Sequence, residues 1–396
     1  MSKRLKIAIL SGTIPSTTFI EHLINGVAET HDVYLFGVLH KKVSYTSKHI
    51  QVFDTPKSTL KNLWVTGCRS LKLAVQAPSD FTALISEVRR HSGLYNQWVW
   101  FTKFLPIVLH KPDVIHLQWA RDVAFYTIFK IRFGIPMVLS LRGAHINYTP
   151  IVEPRMAAVY KKQFPNIDAF HAVSQAIGRE AEQYGADAAK ITTIHSPIPD
   201  FFFQHFKLPV LGTRSDLHLV SVGRFHWVKG YEYAIQTVAQ LKAQGIKVRY
   251  TIVGPESFTE AIAFQIHQLD LVDQVHLVAA LPQEALIDLL HRCHMMLLPS
   301  LKEGIANVVL EAMAIGLPVI STNCGGMAEV IKPGKTGWLV PVRNPEAMMQ
   351  AVLEVLHTPE SQLHSITQQA HDFVKREFYA KDSIQQFVSL YEAVVG

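Results

Sequence analysis

The sequence predicts an α/β fold with two Rossmann-like domains. Short apolar runs alternate with longer helical patterns along the chain, as in parallel sheets that helices cover on both faces. These runs fall into two sets, and the stretch 196–215 between them is interrupted by three Pro and one Gly and has no clear periodicity. The length of 396 residues also favours two or three domains, each with a core of its own.

The strands of both sets are predicted from the apolar runs. In the first set they are 6–11, 33–38, 114–118, 137–141, 169–173 and 191–194. In the second set they are 217–222, 249–253, 275–278, 295–299, 319–322 and 338–340. An amphipathic helical pattern over 373–395 ends the chain. Because open α/β sheets bind ligands at the carboxyl ends of their strands, we expect the functional residues there.

Composition and cysteine usage argue against several classes of protein. The chain is 48% apolar and 18% charged, as in ordinary globular proteins. Its three cysteines form no C-x-x-C pair, which favours a reducing compartment over a disulfide framework or a zinc site. The apolar run before Ser11 is too short for a signal peptide, and no window approaches the ~18 apolar residues that span a bilayer. We therefore expect a cytoplasmic protein, soluble or peripheral at the inner face of the membrane.

Positive charge is concentrated in the first half of the chain. Residues 1–200 contain 23 Lys and Arg against 14 Asp and Glu, and the segment 41–111 contains 11 against 3. Aromatic residues are interleaved with this charge, among them Trp64, Trp98, Trp100, Phe101 and Phe104. Basic and aromatic residues together are typical of a surface that contacts an anionic membrane. A basic face over a buried aromatic core is equally consistent, and no nucleic-acid-binding motif accompanies the charge.

Two carboxylates lie on either side of a small-residue turn in the second set. Glu303 follows the predicted strand 295–299, and Glu311 comes eight residues later in a predicted helix over 308–315. The amides between them open this helix, and helix N-termini bind anions. Two carboxylates with amides between them would suit the sugar, ribose and phosphates of a sugar nucleotide. Taken alone, two glutamates at this spacing are usually exposed helix positions.

Four segments in a fixed order resemble a known family. They are 222–230 (VGRFHWVKG), 282–300, the stretch with both glutamates, and 334–341 (GKTGWLVP). Together they are similar to the Glu-x7-Glu region of the family 4 retaining glycosyltransferases, and the similarity covers roughly 220–345. It implies the GT-B fold, in which two Rossmann-like domains face each other across a cleft and the C-terminal helix crosses back to the N-terminal domain.

This resemblance divides the chain into three parts. Residues 1–200 would form the acceptor-binding domain, 201–376 the sugar-nucleotide-binding domain and 377–396 the crossover helix. The segments that carry the resemblance lie in the second part, and the first part matches the family more loosely.

The resemblance also implies roles for the donor-site residues. Glu303 would lie beside the donor sugar and stabilise an oxocarbenium-like transition state, and Glu311 would bind the ribose hydroxyls. Arg224 and Lys229 would stabilise the departing diphosphate, a role that suits their positive charge. The donor-binding set is completed by glycines and by the small-residue turn, namely Gly223, Gly304, Ile305, Ala306, Asn307 and Val308.

The first half departs from the family at a turn after a predicted strand. The family has His-Gly-x-Asp there, whereas this chain has Arg142 in the His position and His145 in the Asp position. Arg142 could contact a phosphate and His145 could exchange a proton with an acceptor hydroxyl, so both are candidate catalytic residues. Gly12, in the first turn, could offer its amide to the donor, although an ordinary helix start explains the same residues.

The sequence therefore predicts a retaining hexosyltransferase for polysaccharide assembly. It would use a UDP- or GDP-sugar donor and a saccharide or lipid-linked acceptor, with an anionic membrane surface as a further partner and no nucleic acid. We expect no cofactor and no catalytic metal, since the chain has no Asp-x-Asp motif and no His/Cys cluster. The absence of Gly-x-Gly-x-x-Gly weakens a dehydrogenase interpretation. The alternatives are a non-catalytic or degenerate sugar-nucleotide-binding protein, or a GT-B epimerase or phosphorylase.

Overall fold

The computed structural model describes residues 4–210, 216–255 and 259–396, which form two compact units. The first unit contains residues up to 173, together with 177–194 and 381–396. The second unit contains 174–176 and 195–380. The last five residues of the predicted interdomain stretch, 211–215, lie outside the described residues.

The first unit is built on a parallel sheet. Its described strands are β1 (Lys6–Leu10), β2 (Thr13–Ile14), β3 (Asp32–Leu39), β4 (Ile50–Asp54), β5 (Val114–Leu117), β6 (Met137–Leu141), β7 (Ala169–Ala172) and β8 (Ile191–Thr193). They are ordered β2-β3-β1-β5-β6-β7-β8, and β4 pairs with β3. All six strands predicted for this half are present. The sequence pattern missed β2, which has only two residues, and β4, whose five residues alternate weakly.

Helices cover both faces of this sheet. Those that begin before residue 195 are α1 (Thr18–Val27), α2 (Thr59–Gln76), α3 (Pro78–Val88), α4 (Leu94–His110), α5 (Val123–Tyr126), α6 (Ile128–Phe133), α7 (Gly143–Asn147), α8 (Thr149–Val152), α9 (Pro154–Gln163) and α10 (Gln175–Glu182). Alternate residues of β1 enter different cores: Ala8 and Leu10 pack with α4, whereas Ile7 and Ile9 pack with α1. Burial on both faces explains why the strands are continuously apolar.

The second unit repeats this architecture with a parallel sheet in the order β11-β10-β9-β12-β13-β14. Its described strands are β9 (Leu217–Val222), β10 (Val248–Gly254), β11 (Val275–Ala279), β12 (Met295–Leu298), β13 (Val319–Thr322) and β14 (Trp338–Val340). Its described helices are α11 (Asp200–Phe203), α12 (Tyr231–Ala243), α13 (Glu260–Gln268), α14 (Gln283–Leu290), α15 (Asn307–Ile315), α16 (Met327–Val330), α17 (Pro345–His357) and α18 (Glu360–Glu377). Each strand predicted for this half is present.

The helix predicted over 373–395 is two helices, which corrects the sequence interpretation. α18 ends at Glu377 and α19 (Ala380–Val395) begins three residues later. Phe378 interrupts the helix because its side chain is buried in the second unit and its carbonyl accepts a hydrogen bond from the amide of Ile198. From Lys381 onward the chain belongs to the first unit, where α19 packs against the core that contains α1.

The structure separates the aromatic residues of the basic segment 41–111. Phe104 is fully buried, and Trp100 and Phe101 pack against the same core. Trp64, by contrast, is 72% exposed on α2. None of the helices in the described ranges combines the length and the apolar character needed to cross a membrane.

Candidate active site

In the second unit, the loop after β9 approaches the carboxyl end of β12. Gly230, which starts α12, has φ +62°, and a Cβ at this position would lie 2.3 Å from the carbonyl oxygen of Pro299. Only glycine allows this approach of one backbone to another. A hydrogen bond of 2.7 Å from the amide of Leu301 to the carbonyl of Val228 joins the two loops. The loop of Lys229 is therefore fixed beside the loop of Glu303.

This contact brings two of the predicted donor-site residues together. Lys229 Nζ lies 2.7 Å from Glu303 Oε1, and both side chains are largely buried. Ser300 Oγ donates to the same carboxylate oxygen at 2.8 Å. The carbonyl of Ser300 in turn accepts a hydrogen bond from Thr322 Oγ1 at 2.5 Å. The carboxylate is thus held in one orientation by a cation and a hydroxyl, of which the sequence pattern identified only the cation.

The other side of the Glu303 loop packs against a glycine turn after β13. Gly325 has φ +56°, and a Cβ there would lie 1.8 Å from the carbonyl oxygen of Glu303. The amide of Gly326 donates to the carbonyl of Gly304 at 2.8 Å. The loop is therefore held from two directions, by the start of α12 and by this turn. Such support is what a preorganised binding site requires.

The loop leads into α15, whose N-terminus has unsatisfied amides. Its N-cap, Ala306, provides no side-chain hydrogen bond; the amide of Val309 bonds the carbonyl of Ala306, whereas the amides of Asn307 and Val308 precede the first bond within the helix. The predicted anion-binding stretch from Gly304 to Val308 therefore does form a loop and a helix start. Glu311 lies one turn further along α15 and is half-buried, and burial raises the pKa of its carboxyl to about 7.

Arg224 and Gly223 lie on the loop after β9, as predicted, but the structure does not bring Arg224 into the Lys229–Glu303 pair. Arg224 is exposed, and it forms no ion pair with any carboxylate of the described residues. A Cβ at Gly223 would lie 3.0 Å from Tyr231 Oη and 3.2 Å from Lys229 Cε, so a side chain there would crowd both groups.

Tyr231 is a polar residue of this site that the sequence pattern missed. Its hydroxyl is buried without a hydrogen-bond partner among the described residues. Burial, followed by the charge of Glu303, raises the pKa of this hydroxyl. Tyr231 also lines a cavity of about 360 Å³, together with Phe225 and Gln265, and this size is in the range of small-molecule sites.

In the first unit, Arg142 follows β6 and lies at the carboxyl edge of the sheet. Its Nη2 donates to Gln118 Oε1 at 3.0 Å, and its Cζ lies 4.4 Å from the ring centroid of Phe19. Its Nε is buried without a hydrogen-bond partner in the described part of the chain. Burial lowers the pKa of the Arg142 guanidinium to about 10, which still leaves it charged at neutral pH.

His145 lies on α7, three residues after Arg142. Burial lowers its pKa, and the opposing charge of Asp122 limits this effect. The His145 ring meets that of Trp119 edge-on, with centroids 5.6 Å apart. Trp119 Nε1 donates to the carbonyl of Ser11, next to Gly12, which is exposed and has φ +87°. These residues therefore gather around the carboxyl edge of β1, β5 and β6.

Comparisons with known proteins agree with this architecture. Residues 17–197 match a family described as glycosyl transferase 4-like domain, and residues 210–372 match one described as glycosyl transferases group 1. The chain is 28% identical over 262 residues to the putative colanic acid biosynthesis glycosyltransferase WcaL of Salmonella typhimurium. It is 30% identical over 266 residues to the amylovoran biosynthesis glycosyltransferase AmsK of Erwinia amylovora. These alignments cover 65% and 64% of this chain but only 62% and 63% of the relatives' own lengths.

Solved structures resemble the chain over nearly its whole length. HepE of Anabaena in complex with UDP has a TM-score of 0.70 at 18% identity, covering 98% of this chain and 100% of that one. Sucrose-phosphate synthase of Thermosynechococcus elongatus has a TM-score of 0.75 at 17% identity, covering 98% and 99%. At this level of identity the likeness supports the fold only. With both halves matched by glycosyltransferase families and the fold shared, the chain belongs to the family 4 type of glycosyltransferases and has the GT-B fold.

Proposed function

We propose that the chain is a metal-independent, retaining glycosyltransferase for polysaccharide assembly. It would move a hexose from a UDP- or GDP-sugar to a saccharide or lipid-linked acceptor. The observation that carries this proposal is the ion pair between Lys229 and Glu303, held beside the uncapped N-terminus of α15. The names of WcaL and AmsK, which refer to colanic acid and amylovoran biosynthesis, support the same class of reaction.

The donor diphosphate would bind where positive charge and unsatisfied amides meet. Lys229 supplies a point charge that is already oriented, and exposed Arg224 supplies a planar group with several donors. The first-turn amides of α15 add hydrogen bonds and the favourable end of the helix dipole. As the leaving diphosphate gains negative charge, these groups stabilise it more strongly than they stabilise the intact donor.

The sugar would contact Glu303. Its Oε1 already accepts from Lys229 and Ser300, so its second oxygen can accept a sugar hydroxyl. The acceptor hydroxyl then attacks the anomeric carbon from the face that the diphosphate leaves. The bond from this carbon to the phosphate oxygen breaks, the bond to the acceptor oxygen forms, and the acceptor proton passes to the departing phosphate. This sequence retains the anomeric configuration and requires no nucleophile on the protein.

In the first unit, the candidate groups are Arg142 and His145. Arg142 carries a buried positive charge, and His145 is kept neutral by burial and can accept a hydrogen bond from an acceptor hydroxyl. The same two residues favour the alternative of a sugar-nucleotide-binding protein that has lost activity, because they depart from the family's His-Gly-x-Asp turn.

Nucleotide binding and turnover distinguish these functions. The full chain is screened for thermal stabilisation by nucleotides and sugar nucleotides, because a ligand of the native state raises stability by mass action. Donors that bind are then incubated with saccharide acceptors with and without EDTA, and the product anomer is determined by NMR. We expect an α-linked product from an α-linked donor, unaffected by EDTA. Binding without turnover would favour the non-catalytic protein, a β-linked product would contradict retention, and no stabilisation by any nucleotide would contradict the donor site.

We also propose that the protein is cytoplasmic and peripheral at the inner face of the membrane. Helix α2 supports this because its exposed side is apolar: Leu60 is 81% exposed, Trp64 72% and Val75 75%. Lys61 and Lys72 are exposed on the same helix, which has no acidic residue. A helix with apolar side chains flanked by lysines is suited to the interface of an anionic bilayer. We call this surface the α2 face; it comprises Leu60, Lys61, Trp64, Leu71, Lys72 and Val75.

A further inference from the structure

A continuous chain of buried hydrogen bonds runs through the sheet of the first unit below Arg142. His116, on β5, lies at its centre and is completely buried. Its Nε2 lies 2.8 Å from Ser140 Oγ, which lies 2.7 Å from His171 Nδ1. The chain ends where His171 Nε2 contacts the carbonyl oxygen of Ile194 at 2.9 Å.

The contact with the Ile194 carbonyl determines which atom donates and which accepts in each hydrogen bond of this chain. A carbonyl only accepts, so Nε2 of His171 carries the hydrogen and its Nδ1, in the neutral ring, is an acceptor. The Ser140 hydroxyl therefore donates to His171 and accepts from His116 Nε2. Burial, reinforced by the charge of Arg142, lowers the pKa of His116, so its ring is neutral. Its Nδ1 is consequently an acceptor.

Two donors share the single lone pair of that nitrogen, and one of them, Gln118, also contacts Arg142. The hydroxyl of Tyr391, on α19, lies 2.7 Å from His116 Nδ1, and Gln118 Nε2 lies 3.0 Å from it. With its amide nitrogen directed to His116, Gln118 presents its oxygen to Arg142 Nη2 at 3.0 Å. The orientation of the Gln118 amide is therefore fixed from both sides. Replacing any of these donors by an acceptor would interrupt the chain of hydrogen bonds.

The Arg142 side chain is held in place, but its positive charge is not neutralised. Gln118 occupies one of its nitrogens, the Phe19 ring lies against the guanidinium, and Nε is buried without a partner in the described residues. No carboxylate among residues 4–210, 216–255 and 259–396 forms an ion pair with Arg142. A partly buried cation with neither a counter-ion nor a full set of hydrogen bonds is costly, so an anionic ligand would be stabilised there.

We propose that Gln118 and Tyr391 are positioning residues, which hold the Arg142 guanidinium so that it receives a phosphate group of the substrate. This inference rests on the proposed function for the identity of the substrate. Tyr391 acts through His116. Its hydroxyl and the hydrogen bond from His116 Nε2 to Ser140 fix the tautomer of His116. His116 in turn fixes the orientation of the Gln118 amide. The C-terminal helix thereby contributes to a site formed by the strands at the start of the chain.

Three variants test this inference in the full-length protein. Gln118→Glu places a carboxylate next to Arg142 and so supplies the missing counter-ion from within the protein. The same substitution turns an acceptor toward His116 Nδ1, so activity is compared at a matched folded fraction, where we expect a loss of at least about tenfold in kcat/KM for the sugar-nucleotide donor. Gln118→Met and Tyr391→Phe should lower kcat/KM beyond what their loss of stability explains. Tyr250→Phe is the matched control, since it removes a buried hydroxyl that bonds Ser221 in the second unit.

The loss of kcat/KM should exceed what the loss of folded protein explains. Wild-type kcat/KM in Gln118→Glu, or in both other variants once the folded fraction is matched, would overturn the inference. Equal losses of kcat/KM in Tyr250→Phe and Tyr391→Phe would overturn the role of Tyr391, because a merely structural hydroxyl would behave in this way.

A second measurement does not depend on the proposed function. In nitrogen-15 NMR spectra, His116 and His171 should both show the tautomer with hydrogen on Nε2. The Arg142 Nε–H signal should shift when inorganic pyrophosphate is added to the wild type, and this shift should be lost in Gln118→Glu. If the wild type turns over no sugar nucleotide, the proposed function fails, and these signals still test the positioning. The opposite His116 tautomer, or a pyrophosphate shift unchanged by Gln118→Glu, would refute it.

Discussion

Lys229 Nζ lies 2.7 Å from Glu303 Oε1, although 74 positions separate the two residues in the chain. Both loops are fixed in place, because Gly230 brings the first loop against Pro299 and Gly325 packs against the second loop. A diphosphate that approaches Lys229 therefore meets an oriented cation. Arg224, which is exposed, would lose side-chain freedom when it binds the same group.

Replacement of either cation by alanine should weaken the binding of a nucleoside diphosphate. We expect a loss of about 1.5–3 kcal/mol for Lys229→Ala or Arg224→Ala, the range for hydrogen bonds to charged groups. Calorimetric titration with UDP and GDP measures this loss. Lys247→Ala is the control, since it removes an exposed lysine of the same unit that pairs with Asp216. Unchanged affinity in both site variants would contradict the phosphate-binding role.

The two glutamates should differ in kinetics. Glu303→Gln should reduce kcat more than it raises the donor KM, because the contact with the sugar strengthens in the transition state. Glu311→Gln should mainly raise the donor KM, because ribose contacts are equally strong in the ground and transition states. Steady-state kinetics with the donor varied at saturating acceptor distinguishes the two. The same kinetic change in both variants would contradict separate roles.

Glu311 should also make stability and binding depend on pH. Its pKa is raised by burial to about 7, so between the ordinary value of 4.5 and about 7 the folded protein binds more protons than the unfolded chain. The stability from this group is therefore fully present below pH 4.5 and is lost as the pH rises to about 7, by up to about 3 kcal/mol. Urea unfolding at pH 5 and pH 8 measures this, and Glu311→Gln should reduce the difference.

The affinity for nucleotides should change with pH in the opposite sense to the stability. The ionised carboxylate accepts hydrogen bonds from both ribose hydroxyls, whereas the protonated acid accepts fewer. We expect affinity for UDP or GDP to fall as the pH drops below about 7, and Glu311→Gln to flatten this dependence. Calorimetric titrations from pH 5.5 to 8, corrected for the ionisation of the nucleotide, provide the measurement. An identical pH profile in the wild type and the variant would remove Glu311 from the ribose contact.

Membrane binding should depend on the apolar residues of the α2 face and on the positive charge of the segment 41–111. Vesicle co-sedimentation should require anionic lipid and decrease with salt, since surface charges are screened within about 10 Å at 0.1 M. Trp64→Ser with Leu71→Ser should reduce binding at all salt concentrations. Reversing the charges of four exposed residues, Lys41, Lys42, Arg89 and Arg90, should abolish binding and leave donor hydrolysis intact.

The control for this experiment is reversal of Lys161 and Lys162, which are exposed on α9 of the same unit. This variant should bind anionic vesicles nearly as well as the wild type. Equal partitioning to neutral and anionic vesicles, or none to either, would show that the α2 face is an ordinary solvated surface.

The strand pattern and the donor-site loops were within reach of sequence analysis, and the contacts between them were not. Continuous burial makes each parallel strand an apolar run, so the twelve predicted strands are present. The spacing of Glu303 and Glu311 placed one residue on a loop and the other on a helix, as observed. No local pattern, however, indicates that Ser300 and Lys229 share one carboxylate oxygen, because this depends on how two loops pack.

Residues that are distant in sequence account for most of what was missed. Tyr391 and His116 are 275 positions apart, and their contact depends on α19 packing in the first unit. The break at Phe378 is likewise tertiary, since helical periodicity continues through it while its carbonyl bonds Ile198. Burial also could not be assigned within the aromatic segment, where Phe104 is core and Trp64 is exposed. The composition of a segment does not show on which face of a helix an aromatic residue lies.

The position of α19 has a consequence for how the protein is made. Phe387, Leu390 and Tyr391 belong to the same core as Ile7 and Ile9, so this core needs α19 as well as β1. During synthesis, α19 is translated only after the whole of the second unit. Until then, part of the apolar surface of the first unit stays uncovered. Residues 195–380 emerge as an almost uninterrupted unit and can fold meanwhile. The half of the protein that is translated first is therefore the half that is completed last.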